Sequence, residues 1–281
     1  MPSPAPPVVM TIAGSDCCAG AGLQADLKTC TTLGVHGLTV VTAVVAETPA
    51  EVTAIEAVPP AVVQEQLRLL LDSYPVAVVK TGMLVSKAHI VAVSEILAES
   101  KPELVVDPVM IASTGDPLLE DDAVAAYRDR LLPLTTVMTP NIPEAETLLG
   151  YGRGTGKDPG DLAKELFDRF QCAALVKGGH ETDAEVARDV LVGSEGESVL
   201  EGPWIDCASA HGTGCTLSAA LAAFMAKGNA LTEAARLAKE FVSGALRHHY
   251  RFAGPSGLVA LNQLPVHSRE HPGDCNTPSS P

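Results

Sequence analysis

The chain is short of positive charge, with 19 Lys and Arg against 34 Asp and Glu and a formal net charge of −15 at pH 7. Phosphate backbones are held by clustered cations, and no such cluster occurs, so nucleic acid is excluded and a small ligand is expected. If that ligand is anionic, helix N-termini and a few placed cations must hold it, because the overall field repels it. Paired cysteines are also missing. The seven cysteines (Cys17, Cys18, Cys30, Cys172, Cys207, Cys215 and Cys275) are odd in number and show no C-x-x-C spacing, which points to a reduced, cytoplasmic protein. No apolar run approaches the roughly 18 residues of a membrane span, and no leader-like segment opens the chain. Neither G-x-G-x-x-G nor a Gly-Lys-Ser/Thr loop is present, so the dinucleotide fingerprint and the Walker loop are both absent and a dehydrogenase is excluded. Nor is there an internal repeat or an interior linker rich in Pro, Gly or Ser. One domain over 8–264 is expected, between a proline-rich segment 1–7 and a polar tail 265–281, both expected to be disordered.

What is present is alternation. Short apolar runs at Val8–Ile12, Leu38–Val45, Val76–Lys80, Leu104–Val106, Thr136–Met138 and Ala173–Val176 read as buried strands. Helical patterns stand between them: Leu23, Leu27 and Leu33 up to a stop at Gly34, then Pro60–Tyr74, His89–Glu99 and Val124–Leu132. Asp189–Val192 and Ser198–Trp204 read as a hairpin, and Cys215–Lys227 and Thr232–His249 as closing helices. The implied fold class is α/β, a doubly wound, mostly parallel sheet with helices on both faces.

The chain is organised around Ala210-His211-Gly212-Thr213-Gly214-Cys215, a glycine-rich turn that opens a helix. Backbone N–H groups and the positive end of the helix dipole converge there, which makes an anion site. Cys215 stands in the first turn, where the dipole lowers a thiol pKa and favours the thiolate. The plain alternative is a glycine loop with an ordinary buried cysteine. Other candidates carry similar pairs of readings. Gly14 to Gly22 forms a ligand loop or a plain one, with Cys17-Cys18 read as loop residues for want of further ligands at metal spacing. Asp26 is a surface carboxylate or a hydroxyl-binding residue. Asp107-Pro108 is a carboxylate at a strand's C-terminal end or a common turn. Asn141 and Glu144 have capping-box spacing, which alone would explain them. Lys177 ends a strand before Gly178-Gly179-His180, and Ser113 to Pro117 reads as a mobile turn that could act as a lid.

The stretches TIAGSD with GAGLQADLKT, KTGML, VVDPVM, GDPLL, TPNIPEAETLL, VKGGH and HGTGCTLSAALAA, in that order, resemble the ribokinase superfamily. They are most similar to its hydroxymethylpyrimidine kinase and hydroxymethylpyrimidine-phosphate kinase branch, in thiamine biosynthesis. The Cys ending HGTGC is the specific mark, since the related sugar kinases carry Asp there. The resemblance implies a small-molecule kinase using ATP and Mg²⁺, with Gly212, Thr213, Gly214 and Cys215 as an anion hole and Cys215 also where a base would stand. It implies ATP contacts from Asp107, Asn141, Lys177 and Thr213, and magnesium organised by Asp107 and Glu144. Gly14, Asp26, Glu47, Met83 and Val109 would line the pyrimidine pocket. Members of this branch are often dimers, so a homodimer is one expectation.

One residue departs from the resemblance. Where the branch has Ala-Gln-Asn-Thr, this chain has Ala46-Glu47-Thr48-Pro49. An amide pairs one donor and one acceptor with an aminopyrimidine edge, whereas a carboxylate offers acceptors only. Glu47 must therefore be protonated, face a protonated ring or serve another substrate. Pyridoxine or pyridoxal is the alternative, and a non-catalytic vitamin-precursor binding protein the third reading.

Overall fold

Val8, Met10 and Ile12 face one side of the first strand and Val9 the other, and all are buried. A strand apolar on both faces belongs inside a sheet covered on two sides. The protein, a computed structural model, is described over residues 4–110, 121–152, 154–178, 186–205, 207, 211–253 and 258–264. In chain order the main strands are β1 (Val8–Asp16), β2 (His36–Thr48), β3 (Glu51–Ala57), β4 (Val76–Thr81), β5 (Glu103–Val106), β6 (Val137–Met138), β7 (Ala173–Lys177), β8 (Val186–Gly193) and β9 (Gly196–Pro203). They form one sheet in the order β3-β2-β1-β4-β5-β6-β7-β8-β9. β2, β1, β4, β5, β6 and β7 run parallel, and β3, β8 and β9 pair antiparallel with their neighbours at the two edges. This is the expected doubly wound, mostly parallel architecture.

The helices are α1 (Gly22–Thr32), α2 (Pro60–Ser73), α3 (Lys87–Ser100), α4 (Asp121–Ala126), α5 (Ile142–Leu149), α6 (Pro159–Phe170), α7 (Thr213–Ala226) and α8 (Leu231–Arg247). On one face, Met10, Ile12, Val40, Val79 and Val106 pack against α2 to α6 through Val63, Leu67, Ile90, Leu148 and Leu166. On the other, Val9, Val78, Val105 and Leu175 pack against α1, α7 and α8 through Cys30, Leu217, Leu221 and Ala238. Each fully buried leucine contributes about 1.5–3 kcal/mol. Among the described residues no helix is long and apolar enough to cross a membrane.

β1 has β2 on one side and β4 on the other, so the winding direction reverses beside it. In such sheets the crevice outside the strands' carboxyl ends takes the ligand. A register shift between Ala13 and Gly14 bends the end of β1 as it enters that crevice.

Several elements depart from the sequence-based expectation. β2 runs on through Ala46, Glu47 and Thr48, the expected stop, because β3 pairs antiparallel with its Ala43–Thr48 half. β3 is almost wholly exposed, so no apolar alternation announces it. α6 begins where the Asp158 side chain accepts from the Gly160 N–H at 2.7 Å, with Pro159 in its first turn. The expected helix Val124–Leu132 instead passes through a π turn at Tyr127–Leu131 into a 3₁₀ turn at Leu132–Leu134. A small pair, β10 (Tyr250–Arg251) with β11 (Val259–Ala260), follows α8. Ser113 to Pro117, the GDPLL stretch, His180, Ala210, residues 1–3 and the tail 265–281 lie outside the described residues.

Candidate active site

Gly212 caps α7 with φ +83°, a conformation that favours glycine. A Cβ there would lie 1.8 Å from the Gly20 carbonyl oxygen, and one on Gly20 would lie 2.6 Å from His211. The loop after β1 is thus stacked directly on the turn before α7, and glycine is what allows the approach. The first α7 hydrogen bond runs from Thr216 N–H to Gly212 O at 2.9 Å, so the Gly214 and Cys215 N–H groups have no acceptor within the helix. Those donors and the positive end of the helix dipole therefore stand at the start of α7, beside Lys177 and Asp107.

Charged side chains from β5, β7 and α5 meet that helix end. The Asp107 carboxylate, 2% exposed, accepts from Lys177 Nζ at 3.2 Å, Thr139 Oγ1 at 3.3 Å and Ser218 Oγ at 3.1 Å. Lys177 Nζ also lies 4.0 Å from Glu144. A Cβ on Gly214 would sit 3.1 Å from Lys177 Nζ and 3.7 Å from Asp107 Oδ2, so the cation stands directly under the turn. Burial opposes the Lys177 charge, but Asp107 and Glu144 outweigh it and hold the ammonium above its usual range. Burial, with Asp107 adding to it against Lys177, pushes the Glu144 carboxyl up to about 7. Asn141 and Glu144 do form the capping box, with Asn141 N–H to Glu144 Oε2 and Glu144 N–H to Asn141 Oδ1 both at 2.8 Å. The cap and the charge cluster therefore share one carboxylate. Two buried carboxylates against one lysine form a set of oxygen donors with surplus negative charge, the donor chemistry Mg²⁺ prefers.

Beneath Cys215 lies a fully buried ion pair, Lys80 Nζ to Asp26 Oδ2 at 2.8 Å, with Thr11 Oγ1 donating to the same oxygen. Asp26 is therefore no surface carboxylate. Its Oδ1 is buried with no hydrogen-bond partner among the described residues. Burial pushes Asp26 up despite Lys80, while Asp26, Cys215 and Asp107 raise Lys80 against its own burial. The thiolate expected at Cys215 is corrected here. Burial pushes the thiol up to about 11, Asp26 and Asp107 add to the effect, and neither nearby Lys80 nor the Gly22 N–H offsets it. The helix dipole is present, but desolvation inside the crevice is the larger influence.

At the far side, a Cβ on Gly14 would meet Met83 Cε at 2.8 Å and Val45 at 3.6 Å, which brings two of the expected pocket residues together. Val109 follows Asp107 half-buried, its N–H on the Asp107 carbonyl at 2.8 Å. Glu47 is half-buried at the end of β2, where its N–H lies 3.4 Å from Cys17 Sγ. Burial raises its carboxyl, and neighbouring Asp16 adds to the shift while His211 opposes it. Thr213 stands at the first position of α7, beside Gly214.

Sequence reasoning missed Lys80, Asp16 and Ser218. A lysine closing the otherwise apolar run VAVVK was the one available signal for Lys80, because a buried strand tolerates a charge only with a partner. Asp16 accepts from Cys18 N–H at 2.7 Å, Gly20 N–H at 2.9 Å, Ala21 N–H at 2.7 Å and His211 Nε2 at 3.1 Å. Although burial works against its charge, His211, Cys18 and Ala21 hold it well below the usual carboxylate range. Its carboxylate ties the loop to the turn.

The profile of the phosphomethylpyrimidine kinase family matches residues 16–260, which span every group just described except Gly14 and Thr11. The chain belongs to this family. This phosphomethylpyrimidine kinase family member is 41% identical over 258 residues to the hydroxymethylpyrimidine/phosphomethylpyrimidine kinase of Streptomyces coelicolor, covering 92% of this chain and 95% of that one. Its fold matches pyridoxal kinase from Staphylococcus aureus in complex with AMP-PCP and pyridoxal, with TM-score 0.81, 32% identity and 92% and 94% of the two chains covered. It also matches phosphomethylpyrimidine kinase from Clostridium difficile, with TM-score 0.73, 37% identity and 85% and 98% covered. The family member is thus a ribokinase-like, ATP-using kinase of a small molecule.

Proposed function

We propose that the protein transfers the γ-phosphoryl group of ATP to the hydroxyl of 4-amino-5-hydroxymethyl-2-methylpyrimidine, and then phosphorylates the resulting monophosphate, in thiamine biosynthesis. The observation that carries this reading is the seat of Gly214 over Lys177 and Asp107 at the N-terminus of α7. Phosphoryl transfer needs positioning and charge neutralisation more than covalent help, and a removed donor of this kind costs roughly 10²–10³ in rate. The N–H groups of Gly212 to Cys215 hold the transferring oxygens, Lys177 and Thr213 the ATP phosphates, and Asn141 the edge of that site. Asp107 and Glu144 would hold Mg²⁺, whose chemistry there would be to neutralise phosphate charge. Asp26, through its orphan Oδ1, accepts from the substrate hydroxyl. With its thiol neutral, Cys215 acts as a donor in the anion hole, and the proton leaves toward the Asp26 side. Gly14, Met83 and Val109 flank the ring. A homodimer and a cytoplasmic location belong to the same reading, and sedimentation velocity tests the first.

Pyridoxine-type vitamers are the second reading, favoured by Glu47 and by the fold match to a pyridoxal kinase. A Glu47 that carried its proton would offer the donor and acceptor of an amide to the pyrimidine, and burial shifts its carboxyl in that direction. Kinetics of Glu47→Gln with both substrates test the assignment. Unchanged relative kcat/KM values would mean that Glu47 does not read the ring.

A further inference from the structure

Cys17 and Cys18 have no further metal-type ligand near them in sequence except Asp16. In the fold, His211, 195 positions away, reaches the same place. Asp16 Oδ2 lies 3.1 Å from His211 Nε2 and 3.2 Å from Cys18 Sγ, and the three donor atoms all fall within 4.8 Å of one another. We propose that Asp16, Cys18 and His211 form a site for a borderline-soft divalent cation, Zn²⁺ above all, whose occupation inhibits the kinase at its ring pocket.

The donor set is one carboxylate, one thiol and one imidazole, which suits Zn²⁺ and gives Mg²⁺ little, so magnesium in the assay does not fill it. Zinc bonds of about 2.0–2.3 Å put tetrahedral donors roughly 3.3–3.6 Å apart. The Asp16–His211 and Asp16–Cys18 pairs need to open by only a few tenths of an ångström, and Cys18 and His211 already lie within 4.8 Å of each other. Cys18 is exposed and gives the ion a way in, while Asp16 and His211 are buried and preorganised. Asp16 keeps its N–H donors from Cys18, Gly20 and Ala21 when the ion binds, so the carboxylate stays oriented. The ion replaces the two hydrogens that Cys18 and His211 now direct at Asp16. The thiol proton is released to solvent, and the proton on Nε2 leaves that nitrogen, so binding tightens with rising pH.

Glu47 faces this cluster from β2, close enough for the charges of Asp16 and His211 to act on its carboxyl and for its own charge to act on Cys18. A cation seated there draws Glu47 from the ring. That consequence rests on the proposed role of Glu47, whereas the site itself does not.

The test uses the full chain, reduced and free of chelator, titrated with Co²⁺ as a spectroscopic stand-in and then with Zn²⁺. Wild type is expected to develop a thiolate-to-cobalt charge-transfer band that Zn²⁺ abolishes. Cys17→Ser keeps the band and Cys18→Ser loses it, with Cys18→Ala as a second variant and circular dichroism as the check on folding. Zn²⁺ is expected to raise the apparent KM for the pyrimidine without changing that for ATP. Cys18→Ser keeps its metal-free activity and is at least about tenfold less sensitive. No band in wild type, or a band that survives in Cys18→Ser, overturns the site. A Cys18-dependent band with inhibition that is absent or competitive with ATP leaves the site standing and overturns its link to Glu47 and the ring. A protein inactive toward the pyrimidine is still judged by the band.

Discussion

Gly212→Ala is the substitution whose effect the geometry fixes most tightly. The new methyl would lie 1.8 Å from the Gly20 carbonyl oxygen, whereas ordinary contact begins near 3.4 Å, so the turn and the loop must part by about 1.6 Å. Backbone cannot yield as a flexible side chain does, and φ +83° adds about 1–2 kcal/mol of strain for any residue with a Cβ. The movement carries the Gly214 and Cys215 N–H groups away from the proposed phosphoryl position, and a misplacement near 1 Å costs roughly 10²-fold in rate. A fall in kcat/KM of about 10²-fold or more is therefore expected from a coupled assay of ADP release. Gly34→Ala is the matched control, with φ +71° but nothing within 4 Å of the added Cβ. It should lose about 1 kcal/mol of stability, or roughly 2–4 °C in Tm, with activity intact. Near-wild-type kcat/KM in Gly212→Ala, or equal losses of activity in both variants, would refute the anion-hole role of the turn.

Three further outcomes follow from the same site. Lys177→Met removes the cation 3.2 Å from Asp107 and is expected to lower kcat/KM with ATP by about 10²–10³-fold, measured at saturating magnesium. Asp26→Asn or Lys80→Met alone leaves its partner buried and unpaired and should cost about 3–5 kcal/mol in urea unfolding, while the double variant recovers much of that stability without activity. Because burial holds Cys215 neutral to about 11, Cys215→Ser should keep the wild-type pH–rate profile and more activity than Cys215→Ala. The neutral thiol's stability contribution is whole below its ordinary value near 9.0 and is lost as pH rises through about 11, so Cys215→Ala should flatten the alkaline limb of a stability–pH curve.

The parallel strands were readable because burial on both faces leaves continuous apolar runs, as in LTVVTAVV or ELVV. Likewise, glycines before an apolar helix marked the anion turn, and the family resemblance pointed to Lys177, Asp107 and Glu144. What escaped depends on distance in space. β3 carries no hydrophobic pattern, since both of its faces meet solvent. α6, by contrast, carries a legible start in Asp158-Pro159 and a buried Leu162–Leu166 pair at helical spacing. Nothing in sequence joins Lys80 to Asp26 or His211 to Asp16, because sheet order makes those pairs. The neutral Cys215 thiol is hidden for a related reason, since a sequence displays a helix end but not the depth at which the crevice buries it.

The most direct test of the account is steady-state kinetics of the purified protein with ATP and Mg²⁺ against the hydroxymethylpyrimidine, its monophosphate and pyridoxine. The account predicts higher kcat/KM for the pyrimidine pair than for pyridoxine, with ADP formed in step with phosphorylated product. Preference for pyridoxine would contradict it and make Glu47 the mark of a pyridine pocket, and turnover of none would contradict the kinase assignment for these vitamers altogether.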